Sequence, residues 1–168
     1  MNDPKQSPHA KNFMTHYVEV VTPDMTLTEV IRFLLKHKLS NAPVAEIKHD
    51  KKFLLGFISE GDCLKAVSNE LFFGNPSPPQ SAKTIMTAHP ICIAPETELF
   101  SIVSIFTSHN VHHLPVVENG ELLGIVSRSD ILKEMETYYS QIVHTSDHER
   151  QLRDTSQIMN LRFNIDRG

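Results

Sequence analysis

The stretch Leu114-Pro115-Val116-Val117-Glu118-Asn119-Gly120-Glu121-Leu122-Leu123-Gly124-Ile125-Val126-Ser127-Arg128-Ser129-Asp130 decides the fold. Two short apolar runs flank Asn119-Gly120, a pair suited to the left-handed backbone of a tight hairpin turn. Ser127 and Asp130 then stand where a strand gives way to a helix. The same order occurs earlier in the chain. Pro43-Val44 answers Pro115-Val116, and Gly56, Ser59 and Asp62 answer Gly124, Ser127 and Asp130.

Working outward, the repeat extends upstream. Met14-Thr15 recurs as Met86-Thr87, and Pro23 recurs as Pro95 at an unchanged offset of 72. Leu27, Val30, Ile31 and Leu34 recur as Leu99, Ile102, Val103 and Phe106, one apolar stripe of a 3.6-residue period. Beyond the first strand of the hairpin the offset falls to 68. Four residues are therefore inserted in repeat 1, within Ile47-Lys48-His49-Asp50-Lys51-Lys52, which reads as a lengthened hairpin turn.

Each copy predicts the order strand, helix, strand, strand, helix. The first strands are expected at Tyr17 to Val21 and Ile91 to Ala94. The helix of repeat 1 opens with Thr26-Leu27-Thr28-Glu29, a capping-box pattern. The closing helices are expected from Asp62 to about Asn69 and from Asp130 to about Ile142. A unit of roughly 50 residues buries too little surface to be comfortably stable alone, so two α/β (α+β) units are expected to pack together as one globule. The divisions are a tail at 1–10, repeat 1 at 11–73, a proline-rich linker at 74–82, repeat 2 at 83–140 and a C-terminal helical extension at 141–168.

Composition narrows the function. Lys plus Arg number 16 against 20 for Asp plus Glu, with no basic run, which argues against nucleic-acid binding through bulk charge. No apolar run is long enough to cross a bilayer, and the N-terminus lacks a secretory signal, so a cytoplasmic protein is expected. Cys63 and Cys92 lie within apolar patterns and are expected to be buried thiols.

The repeated marks resemble the CBS domain, named for cystathionine β-synthase, and the tandem arrangement resembles a Bateman module. Ile85-Met86-Thr87, Val111-His112-His113-Leu114-Pro115-Val116-Val117 and Leu123-Gly124-Ile125-Val126-Ser127-Arg128-Ser129-Asp130 carry the likeness. Phe13-Met14-Thr15, Leu39-Ser40-Asn41-Ala42-Pro43-Val44 and Leu55-Gly56-Phe57-Ile58-Ser59-Glu60-Gly61-Asp62 carry it more loosely in repeat 1. The resemblance implies two β-α-β-β-α repeats related by a pseudo-two-fold axis. It also implies an adenosine-type ligand in the cleft between them, AMP, ADP, ATP or S-adenosylmethionine, with no required cofactor; the weak charge of histidine at the phosphate positions considered below favours AMP or ADP.

Such a ligand needs a ribose acceptor, phosphate donors and an apolar slot. Asp130 and Asp62 are the ribose candidates, since an ionised carboxylate accepts from both sugar hydroxyls. Ser127 and Ser59 could donate to ribose or phosphate, and the plain alternative for all four is N-capping. His113, His112 and Arg128 are the phosphate candidates, and Asn41 and Glu60 are the repeat 1 counterparts of His113 and Arg128. Glu60 would repel phosphate, which ranks the Asp130 site above the Asp62 site. The resemblance gives the adenine slot beside Asp130 as Thr15, Val18, Leu39, Ser40 and Ile125, and that beside Asp62 as Thr87, Ile91, Val111, His112 and Phe57. Plain core is the alternative for the apolar members.

No metal set, phosphate-binding glycine loop or nucleophile elbow accompanies the ten histidines, so neither a metal site nor an enzyme is expected. Ile131, Leu132, Met135, Tyr138, Tyr139 and Ile142 continue a helical stripe. The resemblance implies a homodimer formed through helices and a regulated protein partner of unspecified identity. The competing function is a dimerisation or docking module whose cleft stays free of nucleotide.

Overall fold

Residues 7–74 and 79–141 are described by the computed structural model. A short helix α1 (Ala10–Phe13) leads into an extended stretch, then α2 (Leu27–His37), the hairpin β1 (Asn41–Lys48) and β2 (Lys51–Ser59), and α3 (Glu60–Phe73). The second copy runs α4 (Ala82–Ile85), β3 (Thr87–Ala88), α5 (Leu99–Ser108), β4 (His113–Glu118), β5 (Glu121–Ser127) and a helix α6 over residues 128–141. This is the mixed helix and antiparallel-sheet arrangement expected, built twice.

Each helix forms where the pattern demands it. Thr26 caps α2: its Oγ1 accepts from the backbone of Glu29, and the Glu29 carboxylate accepts from the Thr26 backbone N–H at 2.8 Å. Those bonds to Thr26 hold the Glu29 carboxyl below its ordinary range. Leu27, Val30 and Leu34 are buried on one face of α2, as Leu99, Ile102 and Phe106 are on α5. Full burial of such side chains stabilises by about 1.5–3 kcal/mol each. They belong to two separate apolar cores, one per repeat.

The cores exchange their lids. Ala10 and Met14, from the start of the chain, lie in the core of repeat 2, while Ala82 and the half-buried Ile85 and Met86 lie against that of repeat 1. Backbone bonds fix the exchange: Ala10 N–H donates to Thr97 (2.8 Å) and Ala82 N–H to Met25 (2.7 Å). The following residues cross the interface as well. Thr15 bridges Ile125 of β5, and Thr87 of β3 pairs with Phe57 of β2. Gly56 and Gly124 permit this crossing. A Cβ on Gly124 would stand 2.8 Å from both Met14 Sδ and the Thr15 carbonyl oxygen, and one on Gly56 would stand 2.6 Å from Met86 Sδ and 2.7 Å from the Thr87 oxygen.

The hairpins join edge to edge, in the order β1-β2-β5-β4. The join is narrow, with Phe53 paired to Glu121, Leu54 N–H donating to Gly120 (3.1 Å) and Lys51 Nζ 2.7 Å from Glu121. Phe53 and Glu121 are counterparts in the two repeats, so the pseudo-two-fold axis passes beside them.

Four expectations need correction. Tyr17 to Val21 and Ile91 to Ala94 are not strands: single parallel bridges, Val21 to Val44 and Ile93 to Val116, tie these extended segments to the sheet. The insertion does not lengthen the turn. His49 and Asp50 (φ 49° and 61°) form a two-residue turn like Asn119-Gly120 (51° and 82°), and the added residues give β1 and β2 lengths of 8 and 9 against 6 and 7 in repeat 2. The closing helices begin at 60 and 128, because Ser59 and Ser127 are the capping positions. Cys63 is buried, but Cys92 is exposed with its thiol donating to the Pro90 carbonyl (3.2 Å).

On α6, Ile131 is buried, Tyr138 meets Phe100 edge-on at 5.4 Å, and Leu132 and Tyr139 are exposed. Ile142 and the rest of the expected extension, and the linker centre at 75–78, lie outside the described residues.

Candidate functional site

Two clefts open between the repeats, each closed on one side by a serine-aspartate pair at a strand-to-helix junction. In repeat 2, Ser127 N–H and Oγ both donate to Asp130 Oδ2 (2.9 and 2.6 Å), and Asp130 N–H donates to Ser127 Oγ (3.3 Å). In repeat 1, Ser59 and Asp62 repeat the geometry at 2.9, 2.6 and 3.2 Å. These are capping boxes with aspartate in the third position. In each, one carboxylate oxygen is consumed by the cap, while no donor among the described residues reaches Oδ1 of either aspartate. Capping and ligand binding are therefore compatible at the same carboxylate.

The Asp130 cleft has a volume of about 280 Å³. Repeat 1 supplies Thr15, Tyr17, Val18, Glu19 and Leu39 along one side, with Asn41 and Pro43 from the start of β1. Repeat 2 supplies His113, Ile125, Ser127 and Asp130. Of the residues proposed from sequence, Thr15, Val18, Leu39, Ile125, Ser127, Asp130 and His113 meet here.

The Asp62 cleft is larger, about 490 Å³. Its repeat 1 wall holds Phe57, Ile58, Ser59 and Asp62, and its repeat 2 wall holds Thr87, His89, Pro90, Ile91, Val111 and His112. Asn41, Asn110 and His113 complete the lining. All seven residues proposed for this side are brought together.

Two candidates lie elsewhere. Ser40 is exposed and lines neither cleft; its carbonyl accepts from Glu60 N–H (2.9 Å). Arg128 points away from the Asp130 cavity, because its guanidinium is taken up by the preceding loop: Nε donates to the Val111 carbonyl (2.8 Å) and Nη2 to Asn110 Oδ1 (3.3 Å). Glu60 lines neither cleft and faces a surface hollow with Ile31 and Leu35.

His113 and Asn41 line both clefts, with Asn41 Nδ2 3.0 Å from His113 Nδ1. The amide donor requires a lone pair on Nδ1, leaving Nε2 as the N–H of the neutral ring. Burial, then the neighbouring His112, push the His113 pKa below its ordinary value, against an opposing pull from Asp130.

Tyr17, Glu19, Pro43, His89, Pro90, Ile58 and Asn110 were not among the proposed lining residues. The repeat itself carried a usable signal for two of them, since Pro90 is the counterpart of Val18 and Glu19 that of Ile91, both proposed from sequence, at the same offset of 72. Among the described residues there is no grouping of three or more potential metal ligands, and no helix long and apolar enough to cross a membrane.

Comparison with known proteins converges on this arrangement. The CBS domain family model matches residues 10–69 and 82–137. A zinc metalloprotease of Methanocaldococcus jannaschii, MJ0392, is 31% identical over 126 residues; the match covers 75% of this chain but 32% of that protein. The crystal structure of CBSX2 in complex with AMP superposes with a TM-score of 0.64 at 25% identity, covering 77% of this chain and 96% of that one. The CBS domain pair of MJ0100, solved with 5′-methylthioadenosine and S-adenosyl-L-methionine, superposes with a TM-score of 0.63. It covers 79% of this chain and 98% of that one, at 20% identity, a likeness of fold.

Proposed function

The chain belongs to the CBS domain family, carrying the unit twice, and on that premise we propose that it is a regulatory module binding an adenosine-type nucleotide between its repeats. The observation that carries this reading is the Oδ1 of Asp130 and of Asp62, which no donor among the described residues reaches, each at the wall of an inter-repeat cleft. A ribose diol supplies the donors such an oxygen lacks. Val18, Leu39 and Ile125 on one side, and Phe57, Ile91 and Val111 on the other, offer apolar walls for adenine. CBSX2, of similar fold, was solved with AMP.

Signalling follows from where the ligand sits. Each cleft takes walls from both repeats, so a bound nucleotide favours one relative orientation of the two and shifts that equilibrium by its differential affinity. No chemistry on the ligand is proposed. The protein acts through shape or assembly, as a homodimer or on a protein partner, in the cytoplasm.

Thermal unfolding with AMP, ADP, ATP and S-adenosylmethionine tests the reading. A ligand at 100 times its Kd adds about 2.7 kcal/mol of stability and a corresponding rise in Tm. Unchanged Tm with all four and with adenosine removes nucleotide binding. The docking reading then stands in its place, favoured by exposed Leu35 on α2 and exposed Leu64, Leu71 and Phe72 on α3.

A further inference from the structure

The two clefts descend from one pattern, so their lining residues can be compared position by position. Where they differ in charge, they differ in one direction. Tyr17 and Glu19 line the Asp130 cleft, and their repeat 2 counterparts, His89 and Ile91, line the Asp62 cleft. Ser40 is answered by His112, which also lines the Asp62 cleft. That cleft thus collects imidazoles from His89, His112 and His113 against the single carboxylate of Asp62. The Asp130 cleft sets His113 against two carboxylates, Glu19 and Asp130. Among the described residues neither lining contains a lysine or arginine; Lys52 donates to the Val18 carbonyl (2.7 Å) and lines neither cleft.

The fixed charges beyond the linings reinforce the difference. The Arg128 guanidinium is bonded to Val111 and Asn110, two residues of the Asp62 cleft, which sets a permanent positive charge behind that wall. Glu60, the acid that would have opposed phosphate there, faces a different hollow. The Asp62 cleft is also the roomier, 490 against 280 Å³. A phosphate monoester carries about −1.5 to −2 charge at neutral pH and accepts hydrogen bonds on three oxygens, so it gains from imidazole N–H donors and loses beside a second carboxylate.

We propose that the clefts divide their ligands by charge: the Asp62 cleft takes the phosphorylated adenosine ligand, with His89 and His112 as phosphate donors, and the Asp130 cleft takes an adenosine ligand without phosphate. This rests on the nucleotide-binding reading above. It makes the module responsive to two ligand classes through two copies of one site.

Calorimetry on the full chain with AMP and with adenosine separates the outcomes. The wild type binds both; Asp62→Ala loses at least tenfold in AMP affinity, and Asp130→Ala keeps AMP affinity within about twofold while losing adenosine binding at one site. His112→Ser, which installs the repeat 1 residue on an exposed position, lowers AMP affinity severalfold and adenosine affinity by a clearly smaller factor. The reciprocal pair Tyr17→His with Glu19→Ile, both on lining positions, gives the Asp130 cleft AMP affinity it lacked. An AMP preference that follows Asp130, or that survives His112→Ser intact, overturns the division while leaving nucleotide binding in place. No binding of either ligand by the wild type overturns both.

Discussion

Asn41 Nδ2 and His113 Nδ1 stand 3.0 Å apart, and the two residues occupy equivalent positions of the two repeats. The contact lies on the wall common to both clefts, so it is one place where the halves of the module read each other's position.

The burial of His113 at this wall makes stability depend on acidity. His113 is pushed below the ordinary imidazole value by burial first, so its neutral form is the one the fold favours. A group whose folded pKa is depressed contributes stability that is fully present above its ordinary value, near pH 6.5, and is lost as pH falls through the folded pKa. Urea unfolding at pH 7.5 and 5.0 should show a fall for the wild type that shrinks in His113→Asn. An identical fall in both proteins would exclude His113 as the titrating group.

Asp130→Ala removes a cap and a ligand acceptor together. Loss of the cap should cost about 1 kcal/mol of stability. Loss of the acceptor should weaken adenosine binding at that cleft by at least tenfold, about 1.4 kcal/mol. Asp130→Asn, which keeps an acceptor for the Ser127 N–H, should recover more of the stability than of the affinity. If stability falls while affinity holds, Asp130 is a cap alone.

Gly56→Ala and Gly124→Ala should each destabilise the fold by about 1–3 kcal/mol. The new Cβ meets a backbone carbonyl of the crossing segment at 2.7 or 2.8 Å, and backbone cannot swing aside as a side-chain tip can. Denaturant midpoints measure this, and no loss at either site would mean that the crossing segments are held more loosely than their bridges indicate.

Asp50→Gly should stabilise. Asp50 sits at φ 61° in a two-residue turn, a conformation that a side chain disfavours and glycine accepts. A gain of under about 1 kcal/mol is expected, because aspartate tolerates this region better than most side chains and glycine loses more chain entropy on folding. A loss would show that the Asp50 side chain does something at the turn beyond adopting its backbone.

The duplicated order was legible because apolar stripes and turn pairs are local signals: Leu27, Val30 and Leu34 bury the face their spacing foretold. Ser59 and Asp62 were legible as a pair, though spacing alone could not show that the serine, not the aspartate, is the capping position. The segments at 17–21 and 91–94 read as strands because their residues suit extension; pairing is a tertiary matter, and each finds a single bridge. The direction of Arg128 was illegible for the same reason, since its partners at 110 and 111 lie on a loop well before it in the chain. Tyr17 and His89 escaped notice because they are each other's counterparts and an isolated polar residue carries no pattern until its neighbours across the cleft are known.

The exchange of α1 and α4 bears on how this molecule can be taken apart. Severing the backbone between residues 74 and 79 would not release two independent halves, because each would carry off the cover belonging to its sibling and leave its own interior open to water. The fragments should therefore remain associated after such a nick, and either one produced by itself should be insoluble or clump with its own kind.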